Sequence, residues 1–287
     1  MGSCTSSQSE VRYFIALKQP HTLRFQHIKK SKWVIGENIH SWLESLYKCQ
    51  NTQGYIVYND QVENLGYTPK EHCGQCKGII TWDKKYISWL VHSVPEFPSS
   101  FDGTHISKID YNEIIYGQSF IFIKNIPISM FPNVIVQLAS MNPNIYMSKN
   151  YSNIDQVHKS FTSKVQITPE IMHIAKSPNY DCDIYKDILV NDFQSKYCIC
   201  QSGIMSKDRI KDRLIKDVTG LTWIDETIYT SYSDNSKWAL SSDSKVKWVF
   251  IGDLGRTPSQ MTMGGGGFVI FSNELWCLFN TMTIHHS

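Results

Sequence analysis

Two segments, one in each half of the chain, repeat a short pattern, and this repeat restricts the fold more than any other feature. The first reads Lys77-Gly-Ile-Ile-Thr-Trp-Asp83, then Trp89-Leu-Val-His-Ser93. The second reads Lys237-Trp-Ala-Leu-Ser-Ser-Asp243, then Trp248-Val-Phe-Ile-Gly252. Lys to Asp spans six residues in both; Asp to Trp spans six in one and five in the other. Each segment reads as two extended runs joined by a polar turn. One match of this kind is noise, whereas two in register suggest an internal duplication. A duplicated fold relates equivalent positions by a pseudo-two-fold axis, so Lys77 and Lys237 could converge on one anion.

A length of 287 residues allows one large domain or two packed lobes. Apolar residues at 41% and aromatics at 13% suffice for a core, which excludes intrinsic disorder. Lys plus Arg number 28 against 26 Asp plus Glu, so a globally basic nucleic-acid coat is excluded and any grip on phosphate is local. No run of about 18 apolar residues marks a membrane span, so no membrane partner is expected. Met1-Gly2-Ser3 reads as an added start ahead of a mature N-terminus near Cys4. Eight cysteines and one sequon, Asn150-Tyr151-Ser152, lean toward a secreted protein, or a lysosomal one, glycosylated at Asn150. Cys73-Gly-Gln-Cys76 and Cys198-Ile-Cys200 read as disulfides or buried thiols in preference to zinc or a redox pair, with the connectivity open.

Hydrophobic periodicity predicts strands at 11–17, 54–58, 77–82, 86–94, 119–124, 237–241, 245–251 and 268–271. Helices are predicted at 38–49, 132–139 and 274–282. Residues 204–218 have the pattern of an amphipathic helix with five Lys or Arg and three Asp. That helix is either a solvated face or a surface for an anionic partner. The Asn-, Ser- and Pro-rich stretch 140–154 is taken as the boundary between an N-terminal lobe, 4–150, and a C-terminal lobe, 151–287.

Several blocks occur in a telling order: Val11–Pro20 with Cys4 upstream, Tyr55–Gln61, the complete Trp89–Pro98 (WLVHSVPEFP), Tyr116–Phe120, Asp234–Trp238 and Ile251–Gln260. A glycine run, Gly264–Gly267, follows. In these blocks the chain resembles the deoxyribonuclease II family over nearly its whole length. The resemblance implies a mixed α/β fold of the phospholipase D type, with two pseudo-symmetric lobes, each a mixed sheet flanked by helices. It implies an active site between the lobes, to which each contributes a His-x-Lys motif. It also implies hydrolysis of DNA phosphodiesters in acid, without metal or other cofactor, leaving 3′-phosphates. One histidine would be the nucleophile, forming a phosphohistidine; the other would protonate the leaving 5′-oxygen, and both lysines would neutralise the phosphoryl oxygens.

This chain departs from that pattern at the centre. The family's Gly-His-Thr-Lys-Gly is here Gly74-Gln75-Cys76-Lys77-Gly78, and its Asp-His-Ser-Lys-Trp is Asp234-Asn235-Ser236-Lys237-Trp238. Both lysines remain and both histidines are replaced by carboxamides. Imidazole can serve as nucleophile or acid near neutrality. A carboxamide does not titrate there, and its nitrogen lone pair is delocalised. Loss of one member of a catalytic unit costs on the order of 10⁴–10⁶ in rate. Met263 stands where the family has an arginine before its glycines, and Gly255 where it has an asparagine.

The sequence therefore predicts a secreted pseudoenzyme, without cofactor or metal, that binds an extracellular protein or polyanion and binds DNA weakly or not at all. Lys77, Lys237, Gln75 and Asn235 would hold a phosphate or sulfate, with His92 and Arg256 as further ligand candidates. The alternative is residual metal-independent acid endodeoxyribonuclease activity giving 3′-phosphate ends, with His72 or His92 standing in for a lost imidazole. The oligomeric state is not readable.

Overall fold

β-Branched and aromatic runs become strands in the computed structural model, which describes residues 9–48, 50–151, 161–178, 180–204, 212–242 and 245–284. The first half contains β1 (Arg12–Lys18), β2 (Phe25–Lys29), β3 (Lys32–Gly36), α1 (Ile39–Tyr47), β4 (Gly54–Tyr58), β5 (Gly78–Trp82), β6 (Tyr86–His92), β7 (Gln118–Pro127), α2 (Phe131–Met141) and β8 (Ile145–Lys149). Its strands form one antiparallel sheet in the order β3-β2-β1-β7-β6-β5-β4-β8.

The second half contains β9 (Thr162–Thr168), β10 (Ile171–Lys176), a π-helical stretch at Ile184–Val190, β11 (Cys198–Ser202), β12 (Ile215–Asp217), β13 (Gly220–Thr222) and β14 (Ile228–Thr230). It continues with β15 (Lys237–Ser241), β16 (Trp248–Gly252), β17 (Gly265–Phe271), α3 (Asn273–Met282) and β18 (Thr283–Ile284). Its main sheet runs β12-β11-β15-β16-β17-β10-β9, and β14-β13-β18 form a small third sheet. The run β1-β7-β6-β5-β4 has the same chain-order logic as β10-β17-β16-β15-β11. The fold is mixed α/β, consistent with the two-lobed phospholipase D-like architecture. By this topology the duplicated segments fall on equivalent strands, β5–β6 and β15–β16.

Side-chain alternation along the strands sorts the core into three layers. The inner faces of both large sheets share one cluster: Ile80, Trp89 and Ile121 on one side, Trp238, Ile251 and Phe268 on the other. The apolar faces of α2 (Val134, Leu138) and α3 (Leu275, Phe279) complete it. The outer face of the first sheet packs under α1, which Asn38 caps by accepting from the His40 amide at 2.9 Å. The outer face of the second sheet packs under the π-helical stretch. The halves lock at Trp89, whose ring stacks on His173 at 4.2 Å and meets the Phe268 edge at 5.2 Å. Its Nε1 donates to the Tyr58 hydroxyl at 2.8 Å, so the buried indole leaves no polar group unsatisfied.

Some expectations are corrected. The stretch 140–154 is not all linker: β8 lies in it and pairs with β4. Its Asn- and Ser-rich composition hides a strand held by backbone pairing with β4 and by the core packing of Ile145, Tyr146 and Met147. For the helix predicted over 204–218, residues 205–211 lie outside the described residues, and Ile215–Asp217 is a strand paired parallel to β11. Short apolar spacings do not separate the two periods. The β2–β3 hairpin escaped notice because its turn, Lys30-Ser31, adopts φ of 49° and 57° without the Asn-Gly pair that advertises such turns. Cys73, Cys76, Cys182, Cys198, Cys200 and Cys277 are free thiols, so no disulfide links them; Cys4 and Cys49 lie outside the described residues. Among the described residues no helix is long and apolar enough to cross a membrane.

Because Trp89 joins both sheets through one buried ring, Trp89→Ala is expected to destabilise the fold by about 3–5 kcal/mol. Urea unfolding should show the whole transition shifted to lower denaturant; a midpoint within experimental error of the native one would contradict this role.

A cleft between the two sheets

Lys77 directly precedes β5 and Lys237 opens β15, so both side chains leave their sheets at the same edge. That edge also carries the segments following β4, β6, β11 and β16. The lysines are nearly sealed from solvent, at 1% and 2% exposure. Lys77 Nζ pairs with Asp60, which follows β4. Lys237 Nζ donates to the backbone oxygen and to Oδ1 of Asn235, both at 3.0 Å. Burial, and then the charge of Lys77, push the Lys237 ammonium down to about 7.

The backbones of the two motifs are tied to the opposite half. Lys77 N–H donates to Asp253 Oδ2 at 3.3 Å, and Lys237 N–H donates to Ser119 Oγ at 3.0 Å. Asp253 also accepts from the Gly266 amide at 2.8 Å. Burial pushes its carboxyl up to about 7, against the pull of that amide and of Lys77. Gly74 and Gly264 sit where a Cβ would collide with the Met141 carbonyl, at 2.1 and 2.3 Å. Glycine at these two positions permits the close approach of the motif, the glycine run and α2.

The two carboxamides lie on the wall of one cleft of about 380 Å³. Gln75 Oε1 accepts from the Gly255 amide at 3.3 Å, and Asn235 Nδ2 donates to the Ser93 carbonyl at 2.9 Å. Each amide thus bonds the backbone that follows the second strand of the other half's duplicated pair, β16 for Gln75 and β6 for Asn235. Gln61, Glu113, Tyr116, Ser202 and Gly203 line the same space. Burial drives the Glu113 carboxyl up to about 7.

Neither Lys77 nor Lys237 lines this cleft, although both lie beside residues that do, and the remaining candidates also fall off its wall. His92 ends β6, is wholly buried, and accepts from the Val94 amide at Nδ1, 3.2 Å. Its Nε2 has no partner among the described residues. Burial, then the charges of Lys77 and Lys237, push its pKa well below the usual imidazole value, so it is a neutral neighbour of both lysines and not part of the cleft wall. His72 is exposed and also off the wall. Arg256 does not reach the cleft: its Nε pairs with Asp183 at 2.8 Å and its Nη1 lies 3.6 Å from Asp217, inside the second half. Asn150 is exposed at the end of β8, and its Nδ2 donates to the Gln53 carbonyl at 2.6 Å; Ser152 of its sequon lies outside the described residues.

Sequence reading missed Asp60, Ser93, Ser119 and Glu113. Asp60 and Ser93 carried a usable signal, since each is a polar residue placed just beyond a largely apolar strand. Such positions gather at the sheet edge where open clefts form.

A carboxyl raised by burial binds more protons in the folded state. Its stabilising contribution is full below the unfolded carboxylate range and is lost as pH rises through about 7. Asp253→Asn is therefore expected to flatten the dependence of Tm on pH between about 4.5 and 7.5, whatever it does to absolute stability. An unchanged slope in differential scanning fluorimetry would contradict the assignment.

The deoxyribonuclease II family model matches residues 3–287. Deoxyribonuclease-2-beta of Rattus norvegicus is 28% identical over 278 residues, covering 85% of this chain and 75% of that protein. Deoxyribonuclease-2 of Caenorhabditis elegans is 26% identical over 292 residues, covering 85% and 76%. Deoxyribonuclease-2-beta of Homo sapiens is 23% identical over 291 residues, covering 91% and 78%. With that match across the whole fold, and with paired lysines where its two halves meet, the chain belongs to the deoxyribonuclease II family.

Proposed function

We propose that this family member is a secreted pseudoenzyme that holds an anionic group of an extracellular partner, a protein or a polyanion, without turning it over. The observation that carries the reading is the bonding of the two carboxamides. Asn235 accepts from Lys237 and donates to Ser93, while Gln75 accepts from Gly255. These amides satisfy their neighbours by hydrogen bonds and have no proton to lend and no lone pair to attack phosphorus. The cleft keeps amide N–H donors at its wall with an ammonium behind them, which suits a tetrahedral oxyanion. The exposed Asn150 is compatible with glycosylation along a secretory route. Residual acid nuclease activity is the second reading. It is favoured by His92, whose buried ring feels the charges of both lysines and whose Nε2 has no partner among the described residues, and it requires that ring to reach the cleft.

Lys237 is cationic below about 7 and loses its charge above. Affinity for inorganic sulfate, whose charge is constant over this range, should therefore fall about tenfold between pH 6 and 8. Calorimetric titration that finds no such fall would remove Lys237 from the site. Restoration tests the lost chemistry. In Gln75→His with Asn235→His, an imidazole at 235 keeps a donor to Ser93 through Nδ1–H and turns Nε2 to the cleft. Metal-free plasmid nicking at about pH 5 should appear in the double variant and be absent from the native chain. Nicking by the native chain that disappears in His92→Gln would favour the second reading.

A further inference from the structure

A second and larger concavity, about 600 Å³, lies away from the cleft, where β1 and β2 part. β1 pairs with β7 along its full length, from Arg12↔Lys124 to Lys18↔Gln118. It pairs with β2 only from Ala16↔His27 to Lys18↔Phe25. The splayed ends leave a pocket closed on one side by α1 and on the other by α3. Its apolar lining comes from Phe14, Phe122, Trp42 and Leu46, with Leu275 and Leu278 opposite. Phe14 and Phe122 are cross-strand partners with ring centroids 6.2 Å apart.

The rim is cationic. Arg12 and Lys124 stand directly opposite each other on neighbouring strands, one step beyond the phenylalanine pair on the same face. Like charges so placed repel. Lys29 and Lys30 add two more cations from the β2–β3 hairpin. Among the described residues none of these four has a carboxylate within ion-pairing distance, and the Arg12 guanidinium rests 5.3 Å from the Phe14 ring centroid. The lining holds one acid, Glu274, which already accepts from the Ser31 hydroxyl. His27 adds no charge near neutrality, because burial and then Lys29 lower its pKa. A chain whose net charge is only +2 thus gathers four cations and one carboxylate round an aromatic pocket.

We propose that this pocket binds a small amphipathic anion, an apolar chain or ring bearing one acidic group. The apolar body would lie over Phe14, Phe122 and Trp42 and the acidic group between Arg12 and Lys124. The volume falls in the range of small-ligand sites. An extended polyanion would meet the rim lysines and leave the aromatic lining unused, whereas a short amphiphile uses both. The inference is independent of the cleft, since no residue is shared between the two lining sets.

The test is fluorescence titration of the full chain with 8-anilinonaphthalene-1-sulfonate, followed by competition. Saturable binding is expected, with displacement by decanoate at least tenfold more effective than by decanol. Arg12→Gln with Lys124→Gln, both partly or fully exposed positions, should weaken binding about tenfold without lowering Tm, and Glu274→Gln should strengthen it two- to threefold. Restoration of binding by Arg12→Lys with Lys124→Arg would separate charge from packing. Absence of saturable binding, equal displacement by decanol, or full affinity in the double glutamine variant overturns the proposal. Displacement by a short oligothymidylate but not by decanoate also overturns it, and assigns the rim to nucleic acid instead.

Discussion

Two ammonium groups held out of water at the junction of two sheets set the terms for the rest of the cleft. Charges so buried are costly unless each has a partner. Lys77 finds Asp60, and Lys237 finds two oxygens of Asn235. The backbone ties of both motifs then run to the opposite half, through Asp253 and Ser119. The cleft is thus a product of the duplication. Each ammonium finds its partner within its own half and each motif's backbone N–H finds one in the other, while the shared inner core with Trp89 at its centre keeps the halves in that relation.

Within this frame the carboxamides act as clasps. Gln75 and Asn235 occupy equivalent places and reach across to equivalent loops. An amide at each position preserves directional hydrogen bonding and removes titration. Among the described residues, burial brings Asp253, Glu113 and Lys237 to titrate near neutrality. They make the electrostatics of the cleft depend on pH.

Much of this was legible in the sequence because it rests on local patterns. The strand pairs at 77–94 and 237–251, α1 and α3 follow from periodicity, and the replacement of histidine by Gln75 and Asn235 is visible in two short motifs. What was not legible depends on tertiary partners. Arg256 sits in a block that the resemblance places at the site, yet its side chain turns to Asp183 and Asp217, acids far away in sequence that no local pattern connects to it. β8 and β12 are short strands whose side chains are polar or mixed, so pairing with β4 and β11 decides them. The splay between β1 and β2 is invisible for the same reason: register is a property of two strands.

The proposed replacement of proton transfer by hydrogen bonding at both centres is tested by single-turnover hydrolysis, with native protein in large excess over an end-labelled oligonucleotide, at mildly acidic pH and with chelator present. Oligonucleotide is then expected to stay intact for hours. Products ending in 3′-phosphate, formed at a rate comparable to that of a histidine-containing family member under the same conditions, would contradict it.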